Sequence, residues 1–351
     1  MLLKKNHKIP LDKFIDYCLY DKKIGYYMNK DPFGLAGDFT TSPNISRLFS
    51  EMLAIWTISF WQSLGCPKKF NLIELGAGNG EMMNIMMESF KKFPSFLDCC
   101  NIFILEKSPR LMKKQKIKLN FENIKWIKSF AKLKDFPNIF LANEFFDAIP
   151  IKQFFKVKNQ WYERLIKISA SKKLSFIKQK TNIKTIEKKI NFKISNKQNF
   201  IEYSPLGLKY LKNISKIIEK NRGGLLIIDY GYNKKKMENT LQAIHKKNFS
   251  KVLENIGKSD ITYKINFHIT NKIIKSFYKL SIDYTTQKEF LTNLGIYERA
   301  EIISKNKSFS KKIDIFYRLK RLTNNSEMGK LFKVMLIKNI DNKSQTGFTN
   351  C

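Results

Sequence analysis

Glu74-Leu75-Gly76-Ala77-Gly78-Asn79-Gly80 is the stretch that decides the fold. It closes an apolar run from Phe70 to Leu75 that suits a short buried strand, and it leads into Met82, Met83, Ile85 and Met86 at helical spacing. Strand, glycine turn and helix in that order make the first unit of an open α/β sheet. Glycines spaced G-x-G-x-G let the backbone turn sharply and approach an adenosyl ligand with no Cβ atoms in the way. The spacing is not the dinucleotide G-x-G-x-x-G, and the sequence lacks the phosphate-cradling G-x-x-x-x-G-K-[ST]. A plain tight turn is the competing reading.

Outward from the loop, Asn101 to Glu106 reads as a second strand, Ile124 to Ile127 as a third and Asn138 to Asn143 as a fourth. Gly223-Gly224 introduces another, Leu225 to Asp229. Helical spacing runs over Leu11 to Tyr20, Ser42-Pro43 makes an N-cap and N1 pair for a helix reaching about Leu64, and further helices follow Ser108-Pro109 and Ser204-Pro205. Between Ile151 and about Lys193 short apolar runs alternate with charged turns, as in a hairpin excursion; helices around 270–310 and a strand near Phe332 to Ile337 complete the chain. Strands alternating with helices predict a parallel sheet covered on both faces. The division expected is a helical segment at 1–65 that contributes to a ligand site, and a domain at 66–351 with added or inserted elements around 151–222 and 240–325, a helical insertion among them.

The 351 residues, 43% hydrophobic, suffice for a large core, and no run of eighteen apolar residues suggests membrane insertion. Met1 to Pro10 carries Lys4, Lys5 and Lys8 without the apolar stretch of a secretory signal. Cys18, Cys66, Cys99, Cys100 and Cys351 make no C-x-x-C pair and no metal-like spacing with His7, His245 and His268, so reduced thiols and no metal are expected. The net charge of +35 raises a nucleic-acid partner. Only seven of the 65 basic residues are arginine, however, and the lysines run through the whole length, which favours a compositional bias over a dedicated groove.

Glu106 lies 26 residues past Gly80 at the end of the next strand, where a carboxylate can accept hydrogen bonds from both hydroxyls of a ribose; a surface glutamate is the alternative. The sequence resembles the MidA-like methyltransferases over nearly its whole length. The resemblance rests on Leu19-Tyr20-Asp21 with Gly25-Tyr26-Tyr27, on Gly37-Asp38-Phe39-Thr40-Thr41-Ser42-Pro43, on Glu74 to Gly80, and on Leu105-Glu106-Lys107-Ser108-Pro109. It continues in Asn143-Glu144-Phe145-Phe146-Asp147-Ala148-Ile149-Pro150, Asp229-Tyr230-Gly231-Tyr232, Thr285-Thr286-Gln287 with Phe290-Leu291, and Leu294-Gly295-Ile296. Two departures lie in the glycine loop, with Ala77 and Asn79 where the family commonly has Pro and Arg. A third is Asn266 where an aspartate is usual, although Asp260 and Thr262 match.

The resemblance implies a Rossmann-like class I fold, S-adenosylmethionine as methyl donor, and protein-arginine methylation in assembly of respiratory complex I, one of whose subunits is the implied partner. It places Asp38, Thr41, Ser42, Glu74, Gly76, Ala77, Gly78, Gly80, Glu106 and Asn143 around the cofactor. A bacterial cytoplasm is the expected location. Methyl transfer needs alignment and exclusion of water rather than a metal or a covalent nucleophile. An arginine acceptor stays charged at ordinary pH and calls for paired carboxylates to orient it and accept its proton; Glu144 and Asp147, just past a central strand, are the candidates, with turn-stabilising roles as the alternative. Methylation of RNA, and a non-catalytic assembly protein that retains the pocket, are the competing functions.

Overall fold

The computed structural model describes residues 7–32, 40–133 and 135–348. Its central sheet contains β1 Phe70–Leu75, β2 Cys100–Leu105, β3 Ile124–Ile127, β4 Asn138–Asn143, β5 Gly223–Tyr232, β6 Leu280–Thr286 and β7 Phe332–Asn339. They stand in the order β3-β2-β1-β4-β5-β7-β6, with the two-residue stretch Ile265–Asn266 paired to the end of β5. β1 to β5 pair in parallel. β7 runs antiparallel to both β5 and β6. The order reverses between β1 and β4, and at such a switch point the strand ends open as a crevice for a ligand.

Successive strand residues feed opposite cores, which is why these strands read as unbroken apolar runs. Leu72, Ile104, Leu141 and Ile228 pack with residues of the helices Arg47–Ser63 and Glu81–Phe90. Their neighbours Ile73, Leu105, Phe140 and Ile227 pack on the other side with Ile214 and Ile218 of the helix Pro205–Asn221. The helices starting at Pro109 and Pro205 are capped as expected, Ser108 accepting from the N–H of Leu111 at 3.3 Å and Ser204 from that of Gly207 at 3.0 Å.

Three expectations need correction. The insertion after β4 is the hairpin excursion that its alternating runs predict and not a helical insertion: Lys152–Val157, Gln160–Ile168 and Leu174–Lys180 form an antiparallel ladder, flanked by Phe200–Tyr203 and by Lys8–Pro10 from the N-terminus. Its first hairpin turns on Lys158 and Asn159, both at positive φ as a two-residue turn of this kind requires, but without the glycine that would advertise it. A second small sheet, Gln242–His245, Asn248–Ser250 and Asp260–Thr262, precedes the stretch expected to be helical.

The helix after Ser42-Pro43 is two pieces, Ser42–Ile45 and Arg47–Ser63, and the cap of the longer one is Ser46, whose hydroxyl accepts from Leu48 at 3.3 Å. Ser42 cannot serve as the cap because it is already the first helical residue. β6 was not expected at all; this edge strand has one neighbour in the main ladder and a half-buried pattern that sits among helices. Within the first 65 residues, the helix Leu11–Tyr20 packs on Ile151, Ile166 and Ile261 of the two small sheets, whereas Ile45 to Leu64 packs under the central sheet. Among the described residues no helix is long and apolar enough to cross a membrane.

Candidate active site

The carboxyl ends of β1, β2 and β4 surround two cavities of about 990 and 380 Å³, both lined by Thr41, Gly76, Gly78 and Glu144 and so parts of one cleft. The glycine loop forms the wall between them. Gly76, Gly78 and Gly80 have φ of +66°, +54° and +79°, a region that disfavours any residue with a Cβ. A Cβ on Gly76 would also stand 2.9 Å from the Phe145 ring. Asn79, one of the departures from the family pattern, ties the loop to the N-terminal segment through Asn44 at 2.8 Å.

The smaller cavity is ringed by Glu74, Asn143, Glu144 and Thr41. Glu74 is fully buried with one carboxyl oxygen unpartnered; burial first, and then the charge of Glu106, push its pKa up to about 8. Asn143 leaves its side-chain oxygen unpartnered while its amide donates to Glu144 at 3.2 Å. A buried carboxyl and an amide oxygen, both short of donors, suit an ammonium group. Thr41 is buried and accepts from Asn44 at 2.7 Å, and Ala77 lies in the core with its carbonyl accepting from Gly80 at 2.7 Å. Ser42 faces Glu144 through its backbone N–H at 3.2 Å. Asp38 lies outside the described residues.

The larger cavity has Glu106 on its β2 side. One Glu106 oxygen accepts from the N–H of Ser108 at 2.8 Å and the other from the Gln115 amide at 2.9 Å; burial raises its pKa and these bonds oppose the rise. With the N–H of Lys107 as a third donor, the carboxylate keeps about one of its roughly four acceptor sites for a hydroxyl. The same Gln115 amide donates to the carbonyl of Gly78 at 2.9 Å, while Trp126 donates to its oxygen at 2.9 Å. Gln115 thus locks the glycine loop to Glu106, a role that nothing in its mid-helix sequence context signals.

The same cavity is lined by Glu144, Asp147 and Asp260 with Tyr20, Tyr27 and Tyr230. Glu144 follows β4 directly with φ +48°, and burial, then the charge of Asp147, raises it to about 8. Asp147 is raised to about 6 by burial, against a hydrogen bond from Tyr230, and one of its oxygens is unpartnered. Asp229 lies beneath, accepting from the N–H groups of Phe146 and Asp147 at 3.2 Å each, and so fixes the turn that carries both candidates.

Asp260 accepts from the Tyr27 hydroxyl at 2.9 Å, and Tyr27 stacks on Tyr20 at 5.5 Å, with Lys107 4.2 Å above the Tyr20 ring. Tyr27 and Asp260 both match the family pattern, but their contact spans 233 residues, beyond any local pattern. Asn266 is not in this cleft: its oxygen caps the helix Phe267–Lys275 by accepting from Ile269 at 3.1 Å, a task that aspartate performs equally well.

The profile of the family described as "Putative S-adenosyl-L-methionine-dependent methyltransferase" matches residues 52–286. The chain belongs to this family. Its cofactor is S-adenosyl-L-methionine. This methyltransferase is 28% identical over 361 residues to a Xenopus laevis protein named protein arginine methyltransferase NDUFAF7, mitochondrial, covering 94% of this chain and 81% of that one. The human protein of the same name is 27% identical over 357 residues, covering 94% and 80%. The fold of the methyltransferase is shared with a Burkholderia thailandensis protein solved bound to S-adenosyl-homocysteine, at a TM-score of 0.78 and 22% identity over 97% of this chain and 89% of that one.

Proposed function

We propose that the enzyme methylates an arginine side chain of a protein partner. The observation that carries this reading is the acidic wall of the larger cavity, Glu144, Asp147 and Asp260, in a chain whose net charge is +35. A wall of this sign repels phosphate and attracts a guanidinium. The names of the Xenopus and human relatives support the same acceptor. A subunit of respiratory complex I is the partner to test first, following the family resemblance.

In this reading the G-x-G-x-G loop and Thr41 hold the cofactor, Glu74 and Asn143 receive its ammonium, and Glu106 receives its ribose. The unpartnered oxygens of Glu74 and Asn143 and the left-handed glycines lining the cleft fit that ligand. When bound, the cofactor supplies a methyl group on a positively charged sulfur, open to attack by a nitrogen. The chain's own residues position that nitrogen. A guanidinium about 4 Å from Glu144 contributes roughly 4 kcal/mol at an effective dielectric near 20, or about three pKa units. That is comparable to the rise of Glu144 from 4.5 to about 8, so the arriving substrate ionises the group that is to hold it. Asp147, at about 6, is ionised at neutral pH and is the acceptor for the proton released after transfer. Tyr20 and Tyr27 flank the approach, and Asp229 positions Asp147 through the backbone.

The decisive experiment incubates the purified enzyme with methyl-labelled S-adenosyl-L-methionine and lysate, divides the product between protease and ribonuclease, and analyses the acid hydrolysate. Label lost to protease and recovered as methylarginine is the expected result. Label lost to ribonuclease, or recovered on another amino acid, overturns the proposal.

A further inference from the structure

The inserted ladder leaves one end of a face open. Register sets Phe155 opposite both Phe200 and Tyr162, Tyr162 opposite Lys180, and Arg164 opposite Lys178. Phe200, Phe155, Tyr162 and Lys180 therefore form one row across four strands, with Arg164 and Lys178 in the next row of the same face. The rings of Phe155 and Tyr162 stack at 6.2 Å with 25° between their planes. The Arg164 guanidinium lies 5.1 Å from the Phe176 ring and 5.8 Å from that of Phe155, and the Lys178 ammonium lies 5.0 Å from that of Tyr162. The helix Leu11–Tyr20 packs on Ile166 and Ile168 at the other end of this face, whereas Phe176 is 42% exposed and Lys178 and Lys180 are exposed.

Charge is concentrated here as well. Residues 151–200 hold fourteen Lys and Arg against two acids, Glu163 and Glu187, a net +12 that is a third of the chain's +35 on a seventh of its length. Bias spread evenly along the chain does not account for that density. Aromatic rings interleaved with cations on an open sheet offer stacking surfaces for bases and partners for phosphates. An acidic protein segment would satisfy the lysines and leave the rings unused.

We propose that this face docks single-stranded nucleic acid, with bases stacking on Phe155, Tyr162, Phe176 and the Arg164 guanidinium and with Lys178 and Lys180 on the phosphates. The face is separate from the acidic acceptor cavity. It serves attachment and not transfer, so it stands whether or not the acceptor is arginine.

The test is fluorescence anisotropy of the full chain with a labelled oligouridine of ~12 nucleotides, within the span such faces cover, at near-physiological salt. Saturable binding is expected. Phe176→Ser and Tyr162→Ser, which leave the charge unchanged, each weaken it at least roughly fivefold. Lys311→Ala with Lys312→Ala, which removes two charges outside the insertion, changes it less than about twofold. Melting curves check that each variant folds, and the exposed Phe176 gives a variant independent of the core. The proposal is overturned by absence of saturable binding, by aromatic variants that bind as the parent does, or by polyglutamate competing as well as unlabelled oligouridine.

Discussion

Glu144 sits at a φ of +48°, where a side chain with a Cβ is strained by about 1 kcal/mol or more. Its carboxyl is also partly buried, and desolvation raises its pKa. Replacing it with glycine should relieve both costs, so Glu144→Gly is expected to melt a few degrees higher while transfer falls at least ~100-fold; a lower melting point would show that the bonds to Ser42 and Asn143 outweigh the strain. Gly78→Val adds a β-branched side chain at φ +54° in the wall of the cleft, and calorimetry should find no binding of S-adenosyl-L-methionine. Gln115→Leu keeps volume but unlinks Gly78 from Glu106, so the KM for the cofactor should rise about tenfold with kcat nearly kept; an equal fall in kcat would argue for general loosening. The glycine loop and Glu106 were legible because their signals are local. The part of Gln115 and the Tyr27–Asp260 bond were not, since tertiary contact and no local pattern sets them.

Among the elements, β7 is a wedge: it enters between β5 and β6, and among the described residues β6 has no other strand partner in the sheet. A chain ending at residue 331 should therefore lose two strands at once, and limited proteolysis should cut at 280–286 before it reaches β1 or β4. Gly223 has φ +126°, and a Cβ there would stand 1.9 Å from the carbonyl oxygen of Asn138. Gly223→Ala should cost at least ~2 kcal/mol, read as a shifted denaturant midpoint with an unchanged slope. The parallel strands were readable because burial on both faces writes a continuous apolar run. The insertion was legible only as a hairpin excursion, its lysines and asparagines blurring the strand bounds, and β6 buries a face only in part, so its period two is hard to separate from a helix.

At the scale of the whole molecule, the cleft gathers several buried carboxyl groups of a basic chain, and that cleft makes stability depend on pH. Glu74 and Glu144, raised to about 8, bind protons in the folded state that they release when unfolded. Their contribution is full below the ordinary carboxylate range and is lost as pH rises to about 8. The ligand-free enzyme should melt progressively lower from pH 6 to 8.5, and Glu74→Gln should flatten the slope; a melting point that rises over this range refutes the assignment. The wedge strand has a consequence in time. Ninety-nine residues separate the end of β5 from the start of β7, on the order of 5–20 s of synthesis. Throughout that interval the apolar margin of β5 has no antiparallel neighbour, an open edge of the kind that recruits other chains. The nascent enzyme needs shelter at that edge, and translation slowed after residue 232 should raise aggregation more than the same delay placed after residue 339.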